Sequence, residues 1–216
     1  MAPAPAPVIT ITRQYASGGS DIARLVAAAL DWTVIDNEFV DEVARRAGLP
    51  AEAVAEQDER APGLLERLAR TLAVASPELF MTAAAVPRAE QDEATIAQLT
   101  ERVIAEAAAH GRAVLVGRGA QALLAQRAPP DAMHVYVVAP KAWRVKLAIE
   151  RLGVDPANAE KVVDETDRRR DQYVKTYYGR HRQDVVNYDL VVNAARLSIE
   201  GAAQLIVAEA KRRGWR

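Results

Sequence analysis

The sequence contains no cysteine, which excludes disulfide bonds and thiolate metal sites. Its three histidines, at positions 110, 134 and 181, are too scattered along the chain to suggest a zinc cluster. No apolar run approaches the roughly 18 residues that a membrane span requires, and the start of the chain lacks the basic and apolar regions of a signal peptide. We therefore expect a cytoplasmic protein with no structural zinc and no membrane partner.

The sequence also lacks an excess of charge of one sign. It contains 28 basic and 29 acidic residues, so the net charge is -1 over 216 residues. Aromatic residues make up only 5%, and Trp32, Trp143 and Trp215 form no series on which bases could stack. We therefore expect no nucleic-acid partner, and any basic site must be local. The 50% hydrophobic content is that of a folded globular chain with one sizeable core.

Short β-branched runs alternate with helical patterns along most of the chain. This alternation is typical of an α/β fold with a parallel sheet and right-handed crossovers. The predicted strands are residues 8–12, 33–35, 113–116, 133–138 and 189–192. Asp155 is the predicted cap of a charged helix that ends at the break of residues 177–179, and the last helix is predicted to start at Ser198. Residues 2–7 alternate alanine and proline, which favours an unpacked tail over residues 1–7, so we predict a single domain over residues 8–216.

Residues 50–91 differ from the rest because they carry helical patterns without strands. Leu64, Leu68 and Leu72 repeat at helical spacing, which predicts a helical insertion. Such a stripe packs into an intramolecular core at least as often as it mediates association. A homodimer that forms through this insertion therefore stays an open alternative.

The most informative segment is the loop RQYASGGS at residues 13–20, between the first strand and the first helix. Backbone N–H groups in such a turn, with the N-terminus of the helix, form an anion site for which phosphate is the natural ligand. The usual phosphate-loop pattern is GxxxxGK[ST]. Gly18 and Ser20 match it, whereas Arg13 stands at the first glycine and Gly19 at the lysine. A turn with a serine cap remains the structural alternative.

Two other arginine-bearing segments are candidates for the same crevice. Arg118 lies between two glycines at the end of the third strand, where ligands bind in open parallel sheets. The run Arg168–Arg170 lies on a charged helix and could belong to a mobile lid over transferring phosphates. The alternatives are an exposed arginine in a turn and a solvated helix. That helix would carry i,i+4 ion pairs of Asp164 with Arg168, Glu165 with Arg169, and Asp171 with Lys175.

These segments together resemble the cytidylate kinase-like family, a divergent branch of the P-loop nucleoside monophosphate kinases. The resemblance rests on ITITRQYASGGSDIA at 9–23, VIDNEFV at 34–40, VLVGRGA at 114–120, DRRRDQYVKTYYG at 167–179 and NYDLVVNAARLSIE at 187–200. Loops of this branch also lack the phosphate-loop lysine. Ala16 departs slightly from the branch, in which glycine is usual at that position.

The resemblance implies a three-layer fold with a five-stranded parallel sheet, a substrate-binding insertion at about 50–91 and a lid at about 155–183. It implies transfer of the γ-phosphoryl group of ATP, with Mg²⁺, to a nucleoside monophosphate such as CMP or dCMP. The implied phosphate cradle consists of Ser17, Gly18, Gly19 and Ser20, with Ser20 also at the metal. The implied substrate contacts are Asp36, Arg118, Asp167 and Tyr173, and the implied catalytic cations are Arg13 and Arg169 or Arg170.

Two departures from the wider superfamily bear on catalysis. The loop has no lysine, so Arg13 or a lid arginine must supply positive charge to the β- and γ-phosphates. No magnesium-positioning acid is evident beside Val116 and Gly117, where the wider superfamily carries one near the third strand. Two alternatives therefore remain open: a nucleotide sensor or pseudokinase without turnover, and a homodimeric phosphotransferase with a non-nucleotide acceptor. Asp36 also has the alternative of capping the helix that follows it.

Overall fold

The structure is a computed structural model that describes residues 7–36, 93–126 and 131–215. The alanine/proline segment at 1–6, the helix predicted after Asp36 and the predicted insertion at 50–91 lie outside the described residues. The chain divides into two compact units, residues 35–111 and the remainder. The loop of residues 13–20, which we call the phosphate loop after its predicted ligand, belongs to the second of these units, as do Arg118 and the predicted lid.

Five strands form one sheet in the order β2-β3-β1-β4-β5. They are β1 (Val8–Arg13), β2 (Thr33–Ile35), β3 (Ala113–Val116), β4 (Ala132–Val138) and β5 (Leu190–Asn193). The central strand β1 pairs in parallel with both β3 and β4, and β4 pairs in parallel with β5. The structure therefore confirms the predicted five-stranded parallel sheet flanked by helices.

Helices follow the strands as the sequence pattern predicts. They are α1 (Gly19–Leu30), α2 (Glu93–His110), α3 (Ala120–Gln126), α4 (Lys141–Leu152), α5 (Ala159–Tyr178) and α6 (Ala194–Arg212). The core is built from the inner faces of the central strands together with α1 and α6, and Ile9, Val135, Val26 and Ile206 are fully buried in it. No helix within the described ranges is long and apolar enough to cross a membrane.

Two helix starts differ from the positions that the sequence predicts. The sequence predicts that Asp155 caps α5, but its carboxylate accepts a bond from the Ala157 N–H (3.3 Å) in a turn that precedes the helix. It also predicts a start of the last helix at Ser198, but a short helical turn already begins at Ala194. Ser198 has a left-handed φ of 64°, and its hydroxyl accepts a bond from the Gly201 N–H (3.1 Å), so it caps the longer part of α6.

His134 on β4 gives the fold a predicted pH dependence. Its Nδ1 lies 2.8 Å from the Thr10 hydroxyl of β1. Burial lowers the His134 pKa, the nearby Asp189 opposes this shift, and Arg180 and Arg213 reinforce it. Because the folded state disfavours the proton, the unfolded state binds more protons as the pH falls through about 6.5, and stability is lost there.

We therefore expect the free energy of unfolding of the wild-type protein to fall between about pH 7.5 and pH 5.5, and to fall less in His134→Gln. Urea unfolding curves at a series of pH values measure both slopes. Parallel slopes for the two proteins would contradict the assignment of this pH dependence to His134.

Candidate phosphate-binding site

The loop between β1 and α1 turns sharply at two left-handed residues, Ala16 (φ 54°) and Gly18 (φ 77°). Between them, the Ser17 side chain is 1% exposed and faces the protein interior. Its hydroxyl donates to the Gln14 carbonyl oxygen (2.9 Å) and lies 3.4 Å from that of Val137. Ser17 therefore anchors the loop to β4.

The N-terminus of α1 continues this surface. The first bond of the helix runs from the Ile22 N–H to the Gly18 carbonyl (3.0 Å), so the N–H groups of Gly19, Ser20 and Asp21 have no partner within the helix. They lie at the positive end of the helix dipole. Ser20 is exposed in this first turn. A helix start that follows a glycine-containing loop in this way suits a phosphate.

A cavity of about 280 Å³ opens over the loop and the start of α1. Four arginines line it: Arg13, Arg24, Arg151 and Arg170. The lining also includes one acid, Asp21, which pairs with Arg24 (3.3 Å) and Arg151 (3.6 Å). The positive charges of the lining outnumber the negative one, so the cavity favours an anionic ligand.

The side chain of Arg13 occupies space that two glycines leave open. A Cβ atom on Gly19 would lie 2.5 Å from the Cβ of Arg13, and a Cβ atom on Gly117 would overlap its Nη1. The side chain therefore extends from the start of α1 to the end of β3, along the edge of the sheet where the phosphate loop lies. A side chain at position 19 is incompatible with this placement of Arg13.

Arg170 of α5 also contacts this loop. Its Nη1 donates to the Arg13 carbonyl oxygen (3.2 Å), and its guanidinium carbon lies 5.6 Å from the centroid of the Tyr15 ring. Burial lowers the Arg170 pKa, and the nearby Arg182 adds to this shift. By contrast, the Arg169 side chain is 80% exposed and lies 3.7 Å from Glu165. The structure thus brings Arg170, and not its neighbour, to the phosphate loop.

Asp167 ties α5 to the phosphate loop. Its Oδ1 accepts a bond from the Tyr15 N–H (2.8 Å), and its Oδ2 accepts one from Arg144 on α4 (2.7 Å). Arg182 lies 3.4 Å from Oδ1 as a third partner. The side chains of Arg144 and Arg182 are only 7% and 4% exposed. The resemblance implies that Asp167 contacts the substrate, and this stays a prediction; both of its oxygens accept protein hydrogen bonds here.

Arg182 extends this network beyond α5. Its Nε donates to Asp171 (2.6 Å), and its Nη1 donates to the Arg13 carbonyl oxygen (2.8 Å). The helical spacing predicts a pair of Asp171 with Lys175, but the structure pairs Asp171 with Arg182. Sequence reasoning missed the roles of Arg144 and Arg182 because their partners lie on other elements and follow no local spacing.

Arg118 lies in a left-handed segment with φ angles of 72° at Gly117, 53° at Arg118 and 67° at Gly119. Burial lowers its pKa, while Tyr173 and Tyr178 of α5 oppose the shift. A Cβ atom on Gly119 would collide with the Tyr178 ring. The structure therefore brings Arg118 and Tyr173, both predicted substrate contacts, to one place between β3 and α5.

Asp36 directly follows β2 and belongs to the unit of residues 35–111, and its role stays a prediction. Among the residues that the structure describes, no group of three histidine or carboxylate side chains could hold a metal. Ser20, which the resemblance implies at the metal, is exposed at the start of α1, and this role stays a prediction.

A second cavity, of about 420 Å³, adjoins the first. Both cavities share Arg151, and the indole of Trp143 and the residues 194–200 line the second one. Gly18 of the first cavity packs closely against Ile199 of the second, since a Cβ atom on Gly18 would lie 2.9 Å from the Ile199 side chain. The phosphate loop thus packs against the wall of the second cavity.

The left-handed conformation of Ala16 gives a prediction on stability. A left-handed φ costs an L-residue roughly 1–2 kcal/mol but costs glycine much less. We expect Ala16→Gly to raise the free energy of unfolding by up to about 1 kcal/mol, despite the entropy that glycine adds to the unfolded chain. Ala28→Gly on the exposed face of α1 is the matched control and should lower it by about 1 kcal/mol. Thermal unfolding of the three proteins measures the difference, and equal destabilisation by both changes would contradict the strain at Ala16.

Solved structures resemble this fold at low sequence identity. An uncharacterized protein from Eubacterium ventriosum is 20% identical, with a TM-score of 0.66 over 94% of this chain and 98% of that chain. Shikimate kinase from Bacteroides thetaiotaomicron is 15% identical, with a TM-score of 0.51 over 94% of this chain and 98% of that chain. Shikimate kinase from Acinetobacter baumannii, in complex with shikimate, is 14% identical, with a TM-score of 0.50 over 98% of this chain and 96% of that chain. At these identities the likeness concerns the fold.

The family assignment comes from the sequence itself. No curated protein matches this sequence. A sequence model of the cytidylate kinase-like family matches residues 8–196, a range that includes the phosphate loop, the Arg118 turn and α5. The match covers more than half of the chain, and the chain belongs to the cytidylate kinase-like family.

Proposed function

We propose that this protein transfers the γ-phosphoryl group of ATP to a nucleoside monophosphate, with CMP or dCMP as the first candidate acceptor. The observation that carries the proposal is the arginine-lined cavity over the phosphate loop together with the cavity of about 420 Å³ that shares Arg151 with it. A nucleoside triphosphate has the same two parts, a polyanion and a planar base with its sugar.

The residues present fit such a ligand. The N–H groups at the start of α1 and the surrounding arginines suit the phosphates. In the second cavity, the Trp143 indole and the Arg196 guanidinium are planar groups of the kind that stack on a base. Ile199 packs against Gly18 and so fixes the distance between the two ligand-binding regions.

Magnesium is the metal that the family implies. Mg²⁺ usually keeps several waters and binds through few protein groups together with substrate phosphates. Ser20, exposed in the first turn of α1, would hold it together with phosphate oxygens. The ion would supply neutralisation of charge on the transferring phosphoryl group.

The remaining residues have distinct roles in this proposal. Arg170 holds positive charge at the phosphate loop from the side of α5, where it would stabilise charge on the transferring group. Arg118 and Tyr173 would orient the acceptor so that its phosphate oxygen attacks the γ-phosphorus while the bond to the ADP oxygen breaks. Held against the loop by Asp167, α5 would exclude water, which otherwise competes as the acceptor.

The test is ADP release from MgATP with CMP, dCMP, UMP, AMP, GMP and shikimate added singly, against ATP alone. We expect release that depends on a pyrimidine monophosphate. Release only with shikimate would favour the alternative of a non-nucleotide acceptor. ATP binding without acceptor-dependent release at high protein concentration would favour a nucleotide sensor instead.

A further inference from the structure

We propose that Arg13, at the end of β1, supplies the phosphate-binding cation that the helix lysine supplies in loops of the pattern GxxxxGK[ST]. The proposal rests on the proposed function, because it presumes that nucleotide phosphates bind over this loop. The proposal identifies the side chain whose positive charge binds these phosphates.

The first support is steric. The Cβ and Cγ atoms of Arg13 lie 2.5 and 2.9 Å from the position of a Cβ on Gly19. Two carbon atoms that are not bonded to each other clash at such distances. Residue 19 can therefore be a lysine only if Arg13 moves. An arginine at position 13 and a lysine at position 19 are therefore mutually exclusive in this backbone. The chain has the arginine and the glycine.

The second support is the position of the guanidinium. Nη1 of Arg13 lies where a Cβ on Gly117 would be, at the end of β3, and Arg13 lines the cavity over the phosphate loop. The charge therefore lies between the ends of two adjacent parallel strands, where ligands bind in open sheets. A guanidinium also offers paired donors that match two phosphate oxygens.

The third support is the anchoring of the Arg13 backbone. Its Cα pairs with Val137 of β4, and its carbonyl oxygen accepts bonds from Arg170 (3.2 Å) and Arg182 (2.8 Å). The residue is thus held by the sheet and by two side chains from the region of α5. Arg170 also lines the cavity, but it comes from α5 and depends on the position of that helix.

The experiment moves the cation between the two positions. Arg13→Gly combined with Gly19→Lys changes the loop to GQYASGKS, which satisfies GxxxxGK[ST] in full. Each single change is made as well. Arg13→Met keeps the aliphatic stem against Gly19 and removes only the charge, so it tests the proposal even where Arg13→Gly fails to fold. Gly201→Lys is the control for a new helical lysine, because a Cβ there would meet nothing closer than 3.5 Å.

Binding of MgATP and of inorganic tripolyphosphate, measured by calorimetry, is the readout, with thermal unfolding as a check on folding. We expect Arg13→Met and Arg13→Gly to bind roughly tenfold to a hundredfold more weakly than wild type, from the loss of one charged hydrogen-bonding group. Gly19→Lys should also bind at least about tenfold more weakly, because its side chain displaces Arg13. The double variant should recover at least about tenfold over both single variants. Gly201→Lys should bind as wild type does.

Unchanged binding in Arg13→Met would overturn the proposal, and so would a double variant no better than the worse single one. Because the readout needs no acceptor, a protein that binds both ligands through Arg13 but phosphorylates no acceptor supports this proposal while contradicting the proposed kinase function. A wild-type protein that binds neither ligand contradicts both.

Discussion

Replacing Asp167 with alanine should lower the free energy of unfolding by about 3–5 kcal/mol, because it leaves the buried guanidinium of Arg144 without its carboxylate partner, whereas Arg182 keeps its pair with Asp171. The side chains of Arg144 and Arg182, which donate to Asp167, are 7% and 4% exposed. The Tyr15 N–H would lose its acceptor as well. Urea unfolding of wild type and variant measures the change.

Asp164 on the same helix provides the matched control. It pairs with Lys141 at 2.8 Å, but the two side chains are 46% and 42% exposed. A solvated pair of this kind contributes about 0–1 kcal/mol, so Asp164→Ala should have a small effect. Similar losses from both substitutions would mean that Asp167 does not hold a buried network together.

Replacing Arg170 with alanine should lower kcat/KM for MgATP by about 10²- to 10³-fold, since a preorganised positive group at the transferring phosphate is lost. Arg170 is the arginine of the run 168–170 that lines the cavity over the phosphate loop. The loss should fall mainly on kcat, because the charge that it stabilises develops in the transition state.

Substitutions of Arg168 and Arg169 show whether the loss of activity is specific to Arg170. Arg168 is exposed, and Arg168→Ala should change kcat/KM by no more than about twofold. Arg169→Ala separates the two catalytic candidates that the sequence left open, and we expect the larger loss in Arg170→Ala. A larger loss in Arg169→Ala would reverse the assignment and would require α5 to rotate when the nucleotide binds.

The strands were predictable because β-branched runs such as Val8–Thr12 and Ala113–Val116 are short and bounded by turns. The order of the strands in the sheet was not predictable from the sequence. Whether β1 lies between β3 and β4, as it does, depends on where each crossover returns to the sheet, and no residue of the strands themselves carries that information. The start of α5 was misplaced because Asp155 caps a separate turn first.

The turns at residues 13–20 and 117–119 were predictable as turns because each is a local pattern of glycines beside a charged residue. The hydrogen-bond network around Asp167 was not predictable from the sequence. Its bond to Tyr15 spans 152 positions in the sequence, and its bond to Arg144 links two helices. Within its own helix, Asp167 looks like any other solvated acid. Gly19 likewise indicated only a missing lysine, whereas the structure relates it to the bulk of Arg13.

The pairing of Arg13 with Val137 also affects how much the phosphate loop can vary. A lysine on the first turn of a helix moves whenever the preceding loop is lengthened or reshaped. The Cα of Arg13 is instead held in register by the β1–β4 ladder, on the other side of the loop. The side chains at positions 15 and 16 can therefore change without displacing this charge from the end of β3. We expect loop exchanges among relatives to be tolerated here provided that Arg13, Gly19 and Gly117 are exchanged as one unit.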